Sequence, residues 1–127
     1  MGESIPLVNG VSKSLELARP YLGRVVSVVI DQAYGTTYKG ALYTSNYGYV
    51  PNTIAPDGMG LDAYVLGPTE PLAEASGKCI AIIHRLDDDD DKLILVPNGV
   101  DMSDDAIEQA VHFREQFFRH YILNYGK

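Results

Sequence analysis

The sequence has 127 residues, 46% of them hydrophobic and 21% charged, a composition that is ordinary for one globular domain. Its formal net charge of −7 argues against nucleic acid as a partner, because such affinity comes mainly from Lys and Arg neutralising phosphates. Cys79 is the only cysteine, so no disulfide forms within these residues, and we expect it to be a small buried strand residue. No apolar stretch approaches the length of about 18 residues that indicates a membrane span. These features favour a cytoplasmic protein.

The first residues are interrupted by prolines and glycines, and we predict that residues 1–23 form an N-terminal extension ahead of one domain at 24–127. Ser12 is suited to cap a short helix that Pro20 would end. We expect the apolar side of this helix to pack either on the domain or on a partner subunit.

The domain contains several short segments rich in valine, isoleucine and leucine, which are typical of buried strands. The predicted strands are 24–31, 46–50, 61–66, 78–86 and 92–96. Gly35 and Gly40 bracket a turn or short hairpin, and residues 51–60 form a loop that contains two prolines and two glycines. We therefore predict a mainly β fold: a small OB-like, partly closed, twisted barrel of five or six strands.

A C-terminal helix is predicted to pack on this barrel. Ser103 is a suitable N-cap, and Asp104 and Asp105 place negative charge near the positive end of the helix dipole. Apolar and aromatic residues then recur at helical spacing, so that one face packs on the sheet. The predicted face consists of Ile107, Ala110, Val111, Arg114, Phe118 and Tyr121.

Two acidic segments carry the strongest functional pattern. The first is Asp57-Gly58-Met59-Gly60-Leu61-Asp62, and the second is the run of five aspartates at 87–91 that leads into Lys92. Carboxylate oxygens are the ligands that Mg²⁺ prefers, and Mg²⁺ keeps waters for substrate phosphates. A run of like charge is also typical of a solvated loop with no ligand, and the run alone leaves that alternative open.

The order of three motifs resembles the soluble, metal-dependent inorganic pyrophosphatases. The first is Asn46-Tyr47-Gly48-Tyr49, the second is 57–62, and the third is Asp90-Asp91-Lys92. In that family an N-Y-G-Y segment leads into D-G-D-x-x-D, followed by a strand, an acidic loop and D-x-K. The resemblance extends from about residue 25 to about residue 97, and more loosely through the last helix.

The resemblance implies roles for particular residues. Asp57, Asp62, Asp87 and Asp90 match metal ligands, although Asp88 competes with Asp87 because the acidic loop is short. Tyr47, Lys92 and Tyr121 match substrate-binding residues, and we expect Asp62 and Lys92 to act in catalysis. Asp31 stands where the family has a glutamate.

Three departures from the family pattern weaken the implied activity. Met59 replaces the aspartate that takes a proton from the attacking water, and Ile122 replaces a phosphate-binding lysine. The segment 32–42 is too short for the family's lysine, glutamate and arginine, and Lys39 is the only basic residue within it.

The resemblance therefore implies a Mg²⁺-dependent, cytoplasmic, homo-oligomeric diphosphatase that hydrolyses diphosphate by metal-activated water at a reduced rate. Its partner would be a small-molecule diphosphate, with no nucleic acid and no membrane. The alternatives are a hydrolase of another phosphorylated compound and a non-catalytic module that binds metal or phosphate.

Overall fold

The computed structural model describes residues 7–8 and 11–125. Helix α1 spans Lys13–Ala18, a 3-10 turn follows at Arg19–Tyr21, and helix α2 spans Asp104–Glu115. The strands β1 to β10 are, in order, Leu7–Val8, Val11–Ser12, Val25–Gln32, Thr37–Tyr38, Ala41–Leu42, Asn46–Val50, Leu61–Val65, Glu74–Arg85, Lys92–Val96 and His120–Asn124.

Five strands close into a barrel in the order β8, β3, β6, β7, β9, with β9 returning to β8. The long strand β8 makes closure possible because different parts of it pair with different neighbours. Its first residues pair with β3, its middle pairs with β9, and its last residues pair with β10. The predicted mainly β barrel with a packed C-terminal helix is confirmed, and β10 is the additional sixth strand.

Strand β9 buries both of its faces, whereas β3 alternates buried and exposed residues along its first half. Alternate residues of β9, such as Leu93 and Ile94, belong to two separate apolar clusters. Helix α1 contributes Leu15 to the first cluster, and helix α2 contributes Ile107 to the second. The short helix capped by Ser12 therefore packs on the domain, one of the two expected arrangements, and Cys79 is buried in the first cluster as predicted.

The C-terminal helix is shorter than the spacing of apolar residues predicted. It ends at Glu115, and Tyr121 lies in β10, where it pairs with His84 of β8. The helical assignment of Phe118 and Tyr121 was wrong because the backbone of residues 120–124 finds its hydrogen bonds along the edge of β8. The aromatic and β-branched residues of 120–124 also fit a strand.

Strand β6 passes very close to β3 at Gly48. A Cβ atom added to Gly48 would lie 1.9 Å from the carbonyl oxygen of Val29, whereas one added to Gly35 would meet no atom within 4 Å. The glycine of the Asn46-Tyr47-Gly48-Tyr49 segment is thus required by the approach of the two strands.

We predict that Gly48→Ala lowers the free energy of unfolding by about 3 kcal/mol or more. This is the upper end of the range typical of overpacking, because the backbone must move to make room for the methyl group. Gly35→Ala is the matched control. It adds the same methyl group in open space at a φ of +88°, and should cost about 1–2 kcal/mol through that backbone conformation alone. Urea denaturation measures both, and a smaller loss for Gly48→Ala than for Gly35→Ala contradicts the close approach.

His120 connects β10 to α2. Its Nδ1 lies 2.7 Å from the carbonyl oxygen of Phe118, and its Nε2 lies 2.9 Å from the carboxylate of Glu108. Burial opposes the charged ring, but these hydrogen bonds and the charge of Glu108 outweigh it and raise the pKa of His120 above its ordinary value of 6.5. The protonated ring donates to both acceptors.

A raised pKa in the folded state means that protonation of His120 stabilises the fold. We predict that this contribution is fully present below about pH 6.5 and is lost as the pH rises through the raised pKa. Denaturation of wild type and His120→Gln across this range tests it, with the exposed His112→Gln as control. The pH dependence should flatten only in His120→Gln, and an unchanged profile there would refute the assignment.

Candidate active site

The end of β3, the loop between β6 and β7 and the C-terminal end of α2 line a cleft of about 560 Å³. Acidic, aromatic and basic side chains line it together. The lining residues are Asp31, Gln32, Tyr38, Lys39, Tyr43, Tyr47, Tyr49, Asp57, Met59, Gly60, Asp62, Asp90 and Arg114. The motif residues Tyr47, Asp57, Asp62 and Asp90, which are distant in sequence, therefore meet in one cleft.

Lys92 lies behind this wall, with its side chain fully buried. Its Nζ is 2.8 Å from Asp62 Oδ2 and 2.8 Å from Asp90 Oδ2. The parallel pairing of β7 with β9 places Asp62 opposite Lys92 and so explains the contact between these two residues. Since a buried ammonium must be paired, Lys92 holds both carboxylates in position and offsets their mutual repulsion.

Asp57 lies in the exposed loop 51–60. Its Oδ1 accepts a hydrogen bond of 2.8 Å from the backbone N–H of Met59, which folds the loop into an Asx turn. Met59 itself lines the cleft with 68% of its surface exposed. A thioether at this position can neither bind a hard cation well nor accept a proton.

The five aspartates do not form a solvated acidic loop, because four of them have different protein partners and the fifth joins Lys92. Asp87 binds Arg119, Asp88 binds Arg85, Asp89 accepts from the backbone N–H of Ser14, and Asp91 lies 2.8 Å from His84 Nδ1. The short acidic segment therefore ties β8, α1 and the C-terminal segment together.

Besides Lys92, which lies behind the cleft, the predicted site residues Asp87 and Tyr121 do not line it. Asp87 accepts hydrogen bonds from the backbone and side chain of Arg119, and these lower the pKa of Asp87. Tyr121 stands on β10, 48% exposed, with its ring centroid 5.1 Å from that of His84. The structure brings neither residue to Asp57, Asp62 and Asp90.

A buried network that no sequence pattern indicated lies behind the cleft. Arg85 donates through Nε and Nη2 to the two oxygens of Glu115, at 3.0 and 2.8 Å, and Tyr64 donates to Glu115 at 2.6 Å. Burial alone would raise the pKa of Glu115, but the hydrogen bonds and charge of Arg85 lower it. Arg85 Nη1 also lies 3.1 Å from Asp88 and 3.7 Å from Asp90, so the network reaches the acidic segment.

Arg114, also on α2, extends into the cleft that Tyr47 lines. The centre of its guanidinium lies 4.5 Å from the centroid of the Tyr47 ring. Burial raises the pKa of Tyr47 well above its usual range. The charge of Arg114 lowers this pKa and that of Asp62 raises it, but burial is the largest effect. The Tyr47 hydroxyl therefore stays protonated and serves as a hydrogen-bond donor. The only sequence signal for Arg114 was its place on the predicted inner face of the helix.

A closed five-stranded barrel with a packed C-terminal helix is an OB-like fold, and here carboxylates and tyrosines line one cleft of it. The family model for inorganic pyrophosphatase matches residues 26–127. The solved inorganic pyrophosphatase from Helicobacter pylori superposes with a TM-score of 0.65 at 20% identity, covering 82% of this chain and 86% of that one. This structural likeness shows the fold.

Curated relatives agree with the family model. The inorganic pyrophosphatase of Xylella fastidiosa (strain 9a5c) is 29% identical over 107 residues, which cover 75% of this chain and 58% of that protein. The enzyme of Caulobacter vibrioides is 31% identical over 124 residues, covering 80% of this chain and 68% of that protein. The chain belongs to the inorganic pyrophosphatase family, as its motifs predicted, although it spans little more than half the length of the Xylella relative.

Membership of this family implies a requirement for a divalent metal ion. In the part of the chain that the structure describes, no group of three or more His, Cys, Asp or Glu side chains is arranged to hold a metal ion. The donor chemistry nevertheless fits a hard cation, because Asp57, Asp62 and Asp90 present carboxylate oxygens to one cleft.

We predict that Glu115→Ala lowers the free energy of unfolding by about 3–5 kcal/mol, because it leaves the buried guanidinium of Arg85 without its main partner. Glu16→Ala, at an exposed position of α1, is the control and should change stability little. Chemical denaturation gives both values.

A double variant tests whether the lost charge is the cause. Arg85→Met with Glu115→Leu removes both charges and should recover much of the stability, since an apolar pair of similar volume can replace a buried ion pair. A double variant as unstable as Glu115→Ala would show that packing, and not the uncompensated charge, explains the loss.

Proposed function

We propose that this protein hydrolyses inorganic diphosphate to two phosphates with Mg²⁺, at a rate reduced by the loss of one acidic residue. Family membership supports this proposal. The observation that carries it is the cleft in which Asp57, Asp62 and Asp90 meet the Tyr47 hydroxyl, because carboxylates together with hydrogen-bond donors suit a metal-bound diphosphate.

Asp57, Asp62 and Asp90 are the residues that would hold Mg²⁺. When bound, Mg²⁺ supplies neutralisation of phosphate charge and lowers the pKa of water. A cleft lined by four aspartates repels a free diphosphate anion, so binding of the substrate should depend on the metal. Asp62 and Asp90 each form an ion pair with Lys92. Among the described residues, no ion pair includes Asp31 or Asp57.

The protein's own residues contribute orientation more than proton transfer. Lys92 holds the carboxylates of Asp62 and Asp90 in position from behind the cleft. Tyr47 presents a protonated hydroxyl that can donate to a phosphate oxygen. Met59 contributes no base. General base assistance is typically worth about a hundredfold to ten-thousandfold in rate, and its absence predicts slow turnover.

Phosphate release from diphosphate with Mg²⁺ tests the proposal in wild type and Met59→Asp. We expect slow, EDTA-sensitive turnover in wild type, and an increase of about a hundredfold or more in Met59→Asp if the new carboxylate acts as the base. Ile54→Asp is the matched control, because Ile54 lies in the same loop, is 78% exposed and does not line the cleft.

The outcomes separate the alternatives. Turnover in neither protein sinks the diphosphatase proposal. Turnover only in Met59→Asp identifies a scaffold that has lost its base, and an equal gain in Ile54→Asp attributes the increase to added charge in the loop. Asp62→Asn should abolish turnover if Asp62 holds metal, with binding of Mg²⁺ weakened in parallel.

Mg²⁺ as the particular metal, assembly into a homo-oligomer and a cytoplasmic location stay predictions. Nor does the structure test the metal role predicted for Asp87 or the substrate role predicted for Tyr121. Within the described residues, each helix is too short or too polar to cross a membrane. We propose the metal site from Asp57, Asp62 and Asp90 alone, because Asp87 is engaged with Arg119.

A further inference from the structure

The carboxylates of the cleft repel a bound diphosphate, and the proposed metal ligands supply no hydrogen-bond donors for it. Four aspartates line the cleft, whereas Lys39 and Arg114 are the basic residues among the lining residues that the structure describes. The ammonium of Lys92 is already bonded to two carboxylates. A diphosphate bound here still needs donors for its remaining oxygens, and the phosphate-binding positions that this sequence lacks increase that need.

One buried donor of Arg114 is used by no other described residue. Its Nη1 is buried and has no hydrogen-bond partner within the described part of the chain. None of the ion pairs among the described residues includes Arg114, even though the adjacent Glu115 is fully paired with Arg85. A buried donor without a partner is costly, and such a group in a binding cleft indicates a position that a ligand completes.

The Tyr47 hydroxyl is a second buried donor on this wall of the cleft. It is buried and also has no hydrogen-bond partner among the described residues. The Tyr47 ring supports the guanidinium of Arg114 at 4.5 Å, which limits the orientations of both groups. Two unused donors, held against each other on one wall of the cleft, form a site for an oxyanion.

We propose that Arg114 binds the phosphoryl oxygens of the substrate, together with the Tyr47 hydroxyl, and so replaces phosphate contacts missing elsewhere in this short chain. The inference rests on the proposed function for the identity of the anion as a diphosphate. A planar guanidinium with several fixed N–H donors is suited to two oxygens of one phosphoryl group. Arg114 would act on binding, with the metal ligands unchanged.

Equilibrium binding tests this independently of turnover. The probe is methylenediphosphonate, a diphosphate analogue that cannot be hydrolysed at its bridge, titrated calorimetrically in the presence of Mg²⁺. We expect Arg114→Met to weaken binding about 10- to 100-fold, as for loss of a hydrogen bond to a charged group. Arg114→Lys, which keeps the charge but loses the planar fork, should lie between the two.

Two controls separate binding from structure. Arg24→Met removes an exposed arginine outside the cleft and should leave affinity unchanged. The affinity for Mg²⁺ alone, and the thermal unfolding midpoint, should be similar in wild type and Arg114→Lys. A measurement on unaltered protein avoids the question of folding: methylenediphosphonate with Mg²⁺ should protect Arg114 from phenylglyoxal more than it protects Arg24.

Each result decides between the two proposals. Equal affinity of wild type and Arg114→Met, or equal protection of Arg114 and Arg24, overturns the role of Arg114 even if diphosphate is hydrolysed. Binding that depends on Arg114 without any turnover supports this site and overturns the proposed hydrolysis. If wild type binds no methylenediphosphonate, the inference about Arg114 is wrong, and the phosphate-release assay then judges the hydrolysis separately.

Discussion

The buried contact between Arg85 and Glu115 is the interaction on which the candidate site depends. Glu115 is the last residue of α2, and Arg85 is the last residue of β8, so their two hydrogen bonds attach the helix to the barrel. Tyr64 adds a third hydrogen bond from β7. Because Arg114 precedes Glu115, and Arg85 also lies 3.7 Å from Asp90, this one contact lies next to two residues that line the cleft.

The cleft also shows how cationic side chains of the protein itself stabilise a strongly acidic site. Like charges at close range would raise each other's pKa and favour protonation. Here Lys92 lies between Asp62 and Asp90, and Arg85 lies behind Asp90. Internal cations therefore balance Asp62 and Asp90 from the barrel side.

Some parts of this arrangement were readable from residue order. Alternating and continuous apolar segments predicted the strands, and the motif order predicted the family. Tyr47, Asp57, Asp62 and Asp90, which the family pattern assigns to one site, line one cleft, and their roles there stay predictions. The predicted helix beyond Glu115 was wrong, since a period of three to four residues in a short aromatic segment does not distinguish a helix from a strand that pairs with an open edge.

The sequence by itself determined the family, the barrel and the chemical character of the cleft, because strand patterns and motifs are local properties of the chain. Only the tertiary structure decided which charges face each other. It placed Lys92 behind two carboxylates, turned Asp87 towards Arg119, paired Arg85 with Glu115, and left the donors of Arg114 beside Tyr47. Asp87 and Arg119 are 32 positions apart, and Arg85 and Glu115 are 30 positions apart. Such pairings depend on strand register and helix docking that no local pattern specifies.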